Sequence, residues 1–474
     1  MSLRRRGTSI IATVGPAVED AARLDRLVAA GASVLRVNLS HGDRASHDAW
    51  IDRIRDAETR AGRAIGILAD LPGPKLRLTG LDAGPCDLQA GESITLGDTE
   101  GVGDLHVTIP GLLASLAPGH RVLIDDGLVR LLVDAVAEHH AVCRVMTAGT
   151  VSQGKGVNLP DSNPPLQVPT DGDLEMATWA QSRGIDFLGQ SFVGTAEELR
   201  QLRAVLRGDD TDPLIIAKIE RPIAVDNLES IMQEADAVMV ARGDLGVEME
   251  IATVPVVQQQ ILQLARQLGR PCIVATQMLQ SMIESASPTR AEAGDVATAI
   301  RDGADAVMLS GETSVGNWPD LAVSTMARIA EVTESHMAQE ADFPEEKGVN
   351  PAVAALCEAT WSTVVRLGAS GVLCRSRLGI WASRLSRARL GVPIIAVTDR
   401  PTAARRMALL RDVCPVVLDA MPATVDAAPC CGLDGATLQK MLRASSPFVL
   451  IEVGSGSGDA SQPALHLAVR TIDT

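Results

Sequence analysis

At 474 residues the chain is long enough for roughly two to four domains, and 46% apolar residues provide for large cores. A net charge of −16 and a pI near 5.0 argue against a nucleic-acid-binding surface, because such a field repels phosphates. The arginines at 4, 5 and 6 precede an apolar run that stops at Gly15-Pro16, too short for a signal peptide, and no run approaches the ~20 apolar residues of a membrane span, so a cytoplasmic chain without membrane partners is expected.

Aromatic residues are 2% and Tyr is absent, so the cores must be built from Ala, Val, Leu and Ile. That composition suits parallel strands buried on both faces. Short aliphatic runs of this kind occur at 9–15, 34–39 and 64–70, and again at 185–192, 214–220, 237–244, 272–279 and 306–312. Each ends in a polar or Gly-containing loop and is followed by an amphipathic helical stretch. Eight such βα units predict a closed barrel of parallel strands ringed by helices, that is, an α/β fold of the (β/α)8 TIM type. The competing open, doubly wound sheet lacks the G-x-G-x-x-G turn that would support it.

Between the third and fourth runs the texture changes. Residues 76–164 hold short runs at 93–96, 106–109, 121–124 and 141–146, separated by Gly and Asp turns. They predict a small inserted β-barrel domain at the C-terminal end of a barrel strand, where it can act as a lid. The barrel is thus expected over 1–75 and 165–338. An acidic stretch at 339–350 reads as a linker. A C-terminal α/β domain of regulatory type is expected over 351–474, with strands near 372–374, 393–398, 416–418 and 448–453. The eight Cys form no C-x-x-C pair and read as free thiols.

Catalytic residues of such barrels sit where strands end. In the run IIAKIE, Lys218 interrupts an aliphatic strand, and a buried Lys needs partners. Lys218 and Glu220 are two apart and so share one face of the strand. Asp244 closes the next strand, and two carboxylates from adjacent strands suit Mg²⁺. The bland alternative is a structural Lys–Glu–Asp network. Arg36 closes another strand beside Asn38, Ser40 and His41 and could grip a phosphate bidentately; the alternative is a surface ion pair. The segment RGDLG at 242–246 offers backbone N–H groups to an anion near a helix start.

Nine segments together resemble the pyruvate kinase family: RVNLSHG at 36–42, DLPGPKLR at 70–77, IDDG at 124–127, KGVNLP at 155–160, KIE at 218–220, VARGDLGVE at 240–248, ATQML at 275–279, PTRAE at 288–292 and MLSGET at 308–313. They fall in the family's order and cover the barrel and insert. The resemblance implies Mg²⁺-dependent phosphoryl transfer from phosphoenolpyruvate to ADP, giving pyruvate and ATP. It implies Glu220 and Asp244 as ligands of Mg²⁺, for which Mn²⁺ could substitute, and Lys218 as the charge that stabilises the transferring group and the enolate. Arg36 would hold the phosphoryl group. Gly243, Asp244 and Thr276 would hold the substrate carboxylate, and Thr276 with Ser310 and Glu312 would lie where the enolate carbon is protonated. Asn38, His41, Arg77 and Lys155 would contact the nucleotide. A homotetramer is implied.

Family members that need K⁺ place its ligands at positions equivalent to Asn38, Ser40, Asp70 and the carbonyl of Leu71. This chain resembles the K⁺-independent branch, with Lys75 supplying the charge. Few hydroxyls occur in the stretch from Cys374 to Trp381, where an effector phosphate would bind, so strong activation by fructose 1,6-bisphosphate is not expected. Two other readings stay open at this point: a metal-dependent pyruvate aldolase or lyase, which would need neither Lys155 nor the insert, and a catalytically dead regulator, which would be expected to lose the charged site residues.

Overall fold

The computed structural model describes residues 6–81, 84–98, 103–109, 112–162, 164, 166–337, 343, 350–420, 441–442, 446–454 and 464–471. Eight parallel strands close a barrel: β1 (Ser9–Thr13), β2 (Val34–Asn38), β3 (Gly66–Asp70), β4 (Phe187–Gln190), β5 (Leu214–Ile219), β6 (Ala237–Ala241), β7 (Cys272–Ala275) and β8 (Ala306–Leu309). Neighbours in sequence are neighbours in space, and β1 pairs with both β2 and β8.

Strand alternation sorts the side chains. Ile11, Val34, Leu68, Phe187, Ile216, Met239, Ile273 and Met308 form one buried inner cluster. The residues between them pack outward against the helices in a larger cluster. Two positions beyond each inner residue lies the next inward one: Thr13, Arg36, Asp70, Gly189, Lys218, Ala241, Ala275 and Ser310. The aliphatic layer is therefore capped, at the C-terminal ends of the strands, by a layer that includes Arg36, Asp70 and Lys218.

The insert forms a seven-stranded sheet and a two-stranded ribbon over its own core. Its strand Val129–Val136 is absent from the expected runs, yet it alternates and pairs with both Arg121–Ile124 and His140–Thr147. Its interleaved Arg130 and Asp134 hide it in a search for aliphatic runs. The C-terminal sheet has the order Val413–Val417, Ile394–Thr398, Val372–Arg375, Pro447–Gly454, Ala464–Thr471, with only the last strand antiparallel. The strand expected at 416–418 starts three residues earlier, with Pro415 tolerated because the strand is at the edge. Of the expected linker only Phe343 and Asn350 are among the described residues, and Cys430 and Cys431 lie outside them; among the described residues no two Cys are joined by a disulfide. No helix among the described residues is long and apolar enough to cross a membrane.

Three arginines of the C-terminal unit grip the opposite, N-terminal end of the barrel. Arg405 bonds Asp186, whose carboxylate also accepts from Ile67 N. Arg389 pairs with Asp305, which accepts from Cys272 N. Arg411 pairs with Glu334, which accepts from Gly7 N and Thr8 N. Leu409 joins the inner barrel cluster from below. The C-terminal unit is thus registered to β3, β7 and the start of β1.

Candidate active site

The charged layer at the barrel mouth is one connected network. Lys218 Nζ lies 3.0 Å from Asp70 Oδ1, 2.9 Å from Glu220 Oε1 and 2.7 Å from Ser191 Oγ. Arg36 Nε donates to Asp70 Oδ2 at 2.6 Å, and its Nη1 to Thr13 Oγ1 at 3.1 Å. Glu220 Oε2 accepts from Phe192 N at 2.7 Å. Phe192 sits at φ 59, a conformation that turns its amide back toward the site.

Burial is the largest influence on Lys218, Asp70, Glu220 and Asp244, and the partners decide the outcome. For Lys218 burial alone would lower the pKa, but Asp70 and Glu220 outweigh it and push it above the usual Lys value. Asp70 would be raised by burial, yet Lys218 and Arg36 hold it below the ordinary carboxylate range. Glu220 and Asp244 are both raised, by burial and, for Glu220, by the Asp244 charge, against the opposing pull of Lys218. Two cationic heads, Arg36 and Lys218, therefore face three carboxylates, Asp70, Glu220 and Asp244. The excess negative charge would repel an anionic substrate.

That donor set fits a hard divalent cation. Glu220 and Asp244 are carboxylates with no His or Cys beside them, and among the described residues no group of three or more His, Cys, Asp or Glu forms a metal cage. Mg²⁺ is ordinarily held in this way, by one or two carboxylates with water and substrate oxygens completing the shell.

Asp244 lies on the helix Arg242–Glu248, which begins directly after β6. Gly243 N donates to Thr276 Oγ1 at 2.7 Å, and that hydroxyl donates to Ala275 O at 2.7 Å. Thr276 and Gln277 both adopt left-handed backbone, φ 69 and 52. For a β-branched residue this is strained, by about 1–3 kcal/mol, and such strain gathers at functional sites. Glu312 is buried, and both its oxygens are taken by backbone, Ser310 N at 2.7 Å and Leu279 N at 3.1 Å. It ties the loop after β8 to the loop after β7, so its place is behind Ser310 and the Thr276 loop.

The insert reaches this mouth. Arg77 Nη1 donates to Gly154 O at 2.8 Å, and Lys155 Nζ pairs with Asp125 Oδ2 at 2.7 Å. Asn158 donates to Glu248 at 2.6 Å, on the same helix as Asp244. Asn38 Oδ1 accepts from Ser40 N, and His41 O accepts from the His47 ring. Lys75 is exposed, with its stem against Gly156, and its charge is felt at Asp244. Ser191 closes the fourth run with Gln190 but has no chemical role legible from the sequence; here it links Lys218 to Leu71 O, to which it donates at 2.7 Å. Gln190, beside it, points outward and donates to Ser191 O.

A parallel barrel with an acidic pair suited to a hard cation, a buried lysine and an arginine at its mouth, under an inserted β sheet, defines a phosphotransferase of the TIM-barrel class. Residues 5–323 match the sequence profile described as pyruvate kinase, barrel domain, and 354–459 the one described as pyruvate kinase, alpha/beta domain. A pyruvate kinase of Mycobacterium intracellulare is 42% identical over 410 residues, 86% of each chain, and one of Methylorubrum extorquens is 42% identical over 430 residues, 87% of each. The crystal structure of a pyruvate kinase from Cryptosporidium parvum superposes with a TM-score of 0.89 at 31% identity, covering 99% of this chain and 97% of that one. The chain belongs to the pyruvate kinase family.

Proposed function

We propose that this chain catalyses phosphoryl transfer from phosphoenolpyruvate to ADP with Mg²⁺, without needing K⁺. The observation that carries the reading is the position of Lys218, between Asp70 and Glu220 and on the same inward layer as Arg36. Arg36 grips the phosphoryl group, and the amides of Gly243 and Asp244 with the Thr276 hydroxyl hold the carboxylate, which takes the place of the hydrogen bonds from Gly243 N to Thr276 Oγ1 and from Thr276 Oγ1 to Ala275 O. Glu220 and Asp244 would hold Mg²⁺, which when bound neutralises charge on the substrate oxygens. Lys218, raised above the usual Lys value, stays protonated across the working range. It therefore acts as a fixed charge that favours the departing enolate, and does not serve as the proton donor. The enolate carbon receives its proton from the face of Thr276, with Ser310 and the Glu312-braced loop, the side that the family resemblance implies.

The insert, residues 76–164, acts as a lid that brings Lys155 and Arg77 to the nucleotide with Asn38 and His41, and excludes the water that competes with ADP. The C-terminal unit, 351–474, is of regulatory type, and the stretch Cys374 to Trp381 exposes Leu378 and Ile380 where a phosphate pocket would need donors; fructose 1,6-bisphosphate is not a strong activator. The working form is a cytoplasmic homotetramer. An assay of ATP formation from phosphoenolpyruvate and ADP tests the central reading: activity in the parent, and a loss of at least ~10³ in kcat for Lys218→Met with substrate binding retained. Wild-type turnover in that variant would overturn it.

A further inference from the structure

We infer that Arg242, braced by Asp295, is the positioning residue that holds the Thr276 backbone in the conformation from which its hydroxyl serves the carboxylate seat. Arg242 follows β6 directly and is nine-tenths buried, its side chain 10% exposed. Its Nη2 donates to Thr276 O at 2.8 Å and reaches Gln277 O at 3.3 Å, and its Nη1 is fixed by Asp295 Oδ2 at 2.7 Å.

Those two carbonyls belong to the two residues held at positive φ after β7, Thr276 at 69 and Gln277 at 52. Left-handed backbone at a Thr followed by a Gln does not persist unaided, since neither residue has glycine's freedom. A planar guanidinium can bond two adjacent carbonyls from one nitrogen while the other is anchored, which an ammonium could not do with the same geometry. The result is that Thr276 Oγ1 is delivered to Gly243 N at 2.7 Å. Arg242 is the residue immediately before Gly243. One side chain and its neighbour's amide therefore fix both halves of the carboxylate seat: Arg242 sets the backbone from which the Thr276 hydroxyl projects, and its own peptide leads into the amide that the hydroxyl meets. Asp295, on the helix Arg290–Arg301, ties this clamp to the element that follows the β7 loop.

This inference rests on the phosphoenolpyruvate reading of the site, and a double-mutant cycle separates the two. Arg242→Met, Thr276→Ala and the double variant are assayed for kcat and KM with phosphoenolpyruvate, alongside the parent and Lys218→Met. Arg242→Met is expected to lower kcat/KM about 30- to 100-fold. Adding Thr276→Ala to it should cost less than a further threefold, because the hydroxyl is already misplaced. If the two losses multiply, Arg242 does not act through Thr276 and the inference falls, while activity in the parent and its loss in Lys218→Met leave the reading of the site intact. If the parent makes no ATP, both fall. Should Arg242→Met fail to fold, the cycle is run with Asp295→Asn, which keeps Arg242 but loosens its brace; a five- to tenfold loss that vanishes in the Thr276→Ala background supports the clamp, and an equal loss in both backgrounds refutes it.

Discussion

Lys218 and Asp70 meet at 3.0 Å although β4 runs between their strands. The contact exists because the inward residue of β4 at that level is Gly189. A Cβ there would stand 3.3 Å from Asp70 Oδ1, so the carboxylate would have to give by a few tenths of an ångström, and 3.6 Å from Lys218 Cδ, an ordinary contact. Gly189 is thus a space-making residue, required for close approach and not for backbone freedom.

Gly189→Ala should therefore fold, since the backbone is ordinary strand, but push Asp70 and Lys218 apart. A drop in kcat/KM of tenfold or more is expected, about 1.4 kcal/mol of transition-state stabilisation, with the melting temperature within a few degrees of the parent. Parent-like kinetics would show that the pair tolerates displacement and that its geometry is not the source of the catalytic charge placement.

This relationship also shows where reading the sequence stops. Lys218 and Glu220 were legible because a charge inside an aliphatic strand is costly and a spacing of two puts both on one face. The barrel was legible from eight aliphatic runs. Ser191 was not, because its role depends on Leu71 O and Lys218 converging from two other strands. Phe192 was not, because nothing in its identity announces a positive φ. Glu312 was legible as a functional carboxylate but not as one spent on two backbone amides. What alternation encodes can be read off a sequence; what loop conformation encodes needed the structure.

The cation pair gives a second prediction. Glu220→Gln and Asp244→Asn each remove one hard anionic ligand, and the side-chain amide introduced by Glu220→Gln can still accept from Phe192 N through its carbonyl oxygen. Each should raise the Mg²⁺ concentration for half-maximal activity at least tenfold, with Mn²⁺ rescuing part of the loss. Magnesium titrations indistinguishable from the parent in both variants would place the cation elsewhere.

A third concerns pH and the registration of the C-terminal unit. Asp412 lies between Arg411, Arg389, Glu334 and Asp305, with its carboxylate packed on Gly7, and burial pushes its pKa up to about 6. A carboxyl raised above its unfolded value binds its proton more tightly when folded. Its contribution to stability is therefore most favourable at low pH and is lost as pH rises from about 4 to about 6. Asp412→Asn removes that loss, and Asn suits the positive φ of 61 at this position. The variant should gain roughly 1–3 kcal/mol at pH 8 and much less at pH 5, read as a melting-temperature advantage that grows with pH. An advantage equal at both values would mean that the charge of Asp412 is not the cause.

The last prediction is that activity does not depend on K⁺. Three of the four positions that would cage a monovalent ion, Asp70, Leu71 O and Asn38, already have partners. Asp70 has Arg36 on one oxygen and Lys218 on the other. Leu71 O accepts from Ser191, and Asn38 Oδ1 accepts from Ser40 N. Lys75 adds a tethered ammonium whose charge reaches Asp244. A K⁺ ion entering beside it would meet like-charge repulsion and would have to displace existing hydrogen bonds. A tethered charge, in contrast, costs no ion binding. Activity measured in tetramethylammonium buffer with Mg²⁺ should change less than about threefold on adding K⁺ at matched ionic strength. A rise above about tenfold, equivalent to about 1.4 kcal/mol, would sink the idea. Lys75→Glu should create a K⁺ requirement, because it removes the tethered charge and offers the ion a carboxylate in its place. The requirement should be weak, since Leu71 and Leu78 supply no hydroxyl to complete the shell.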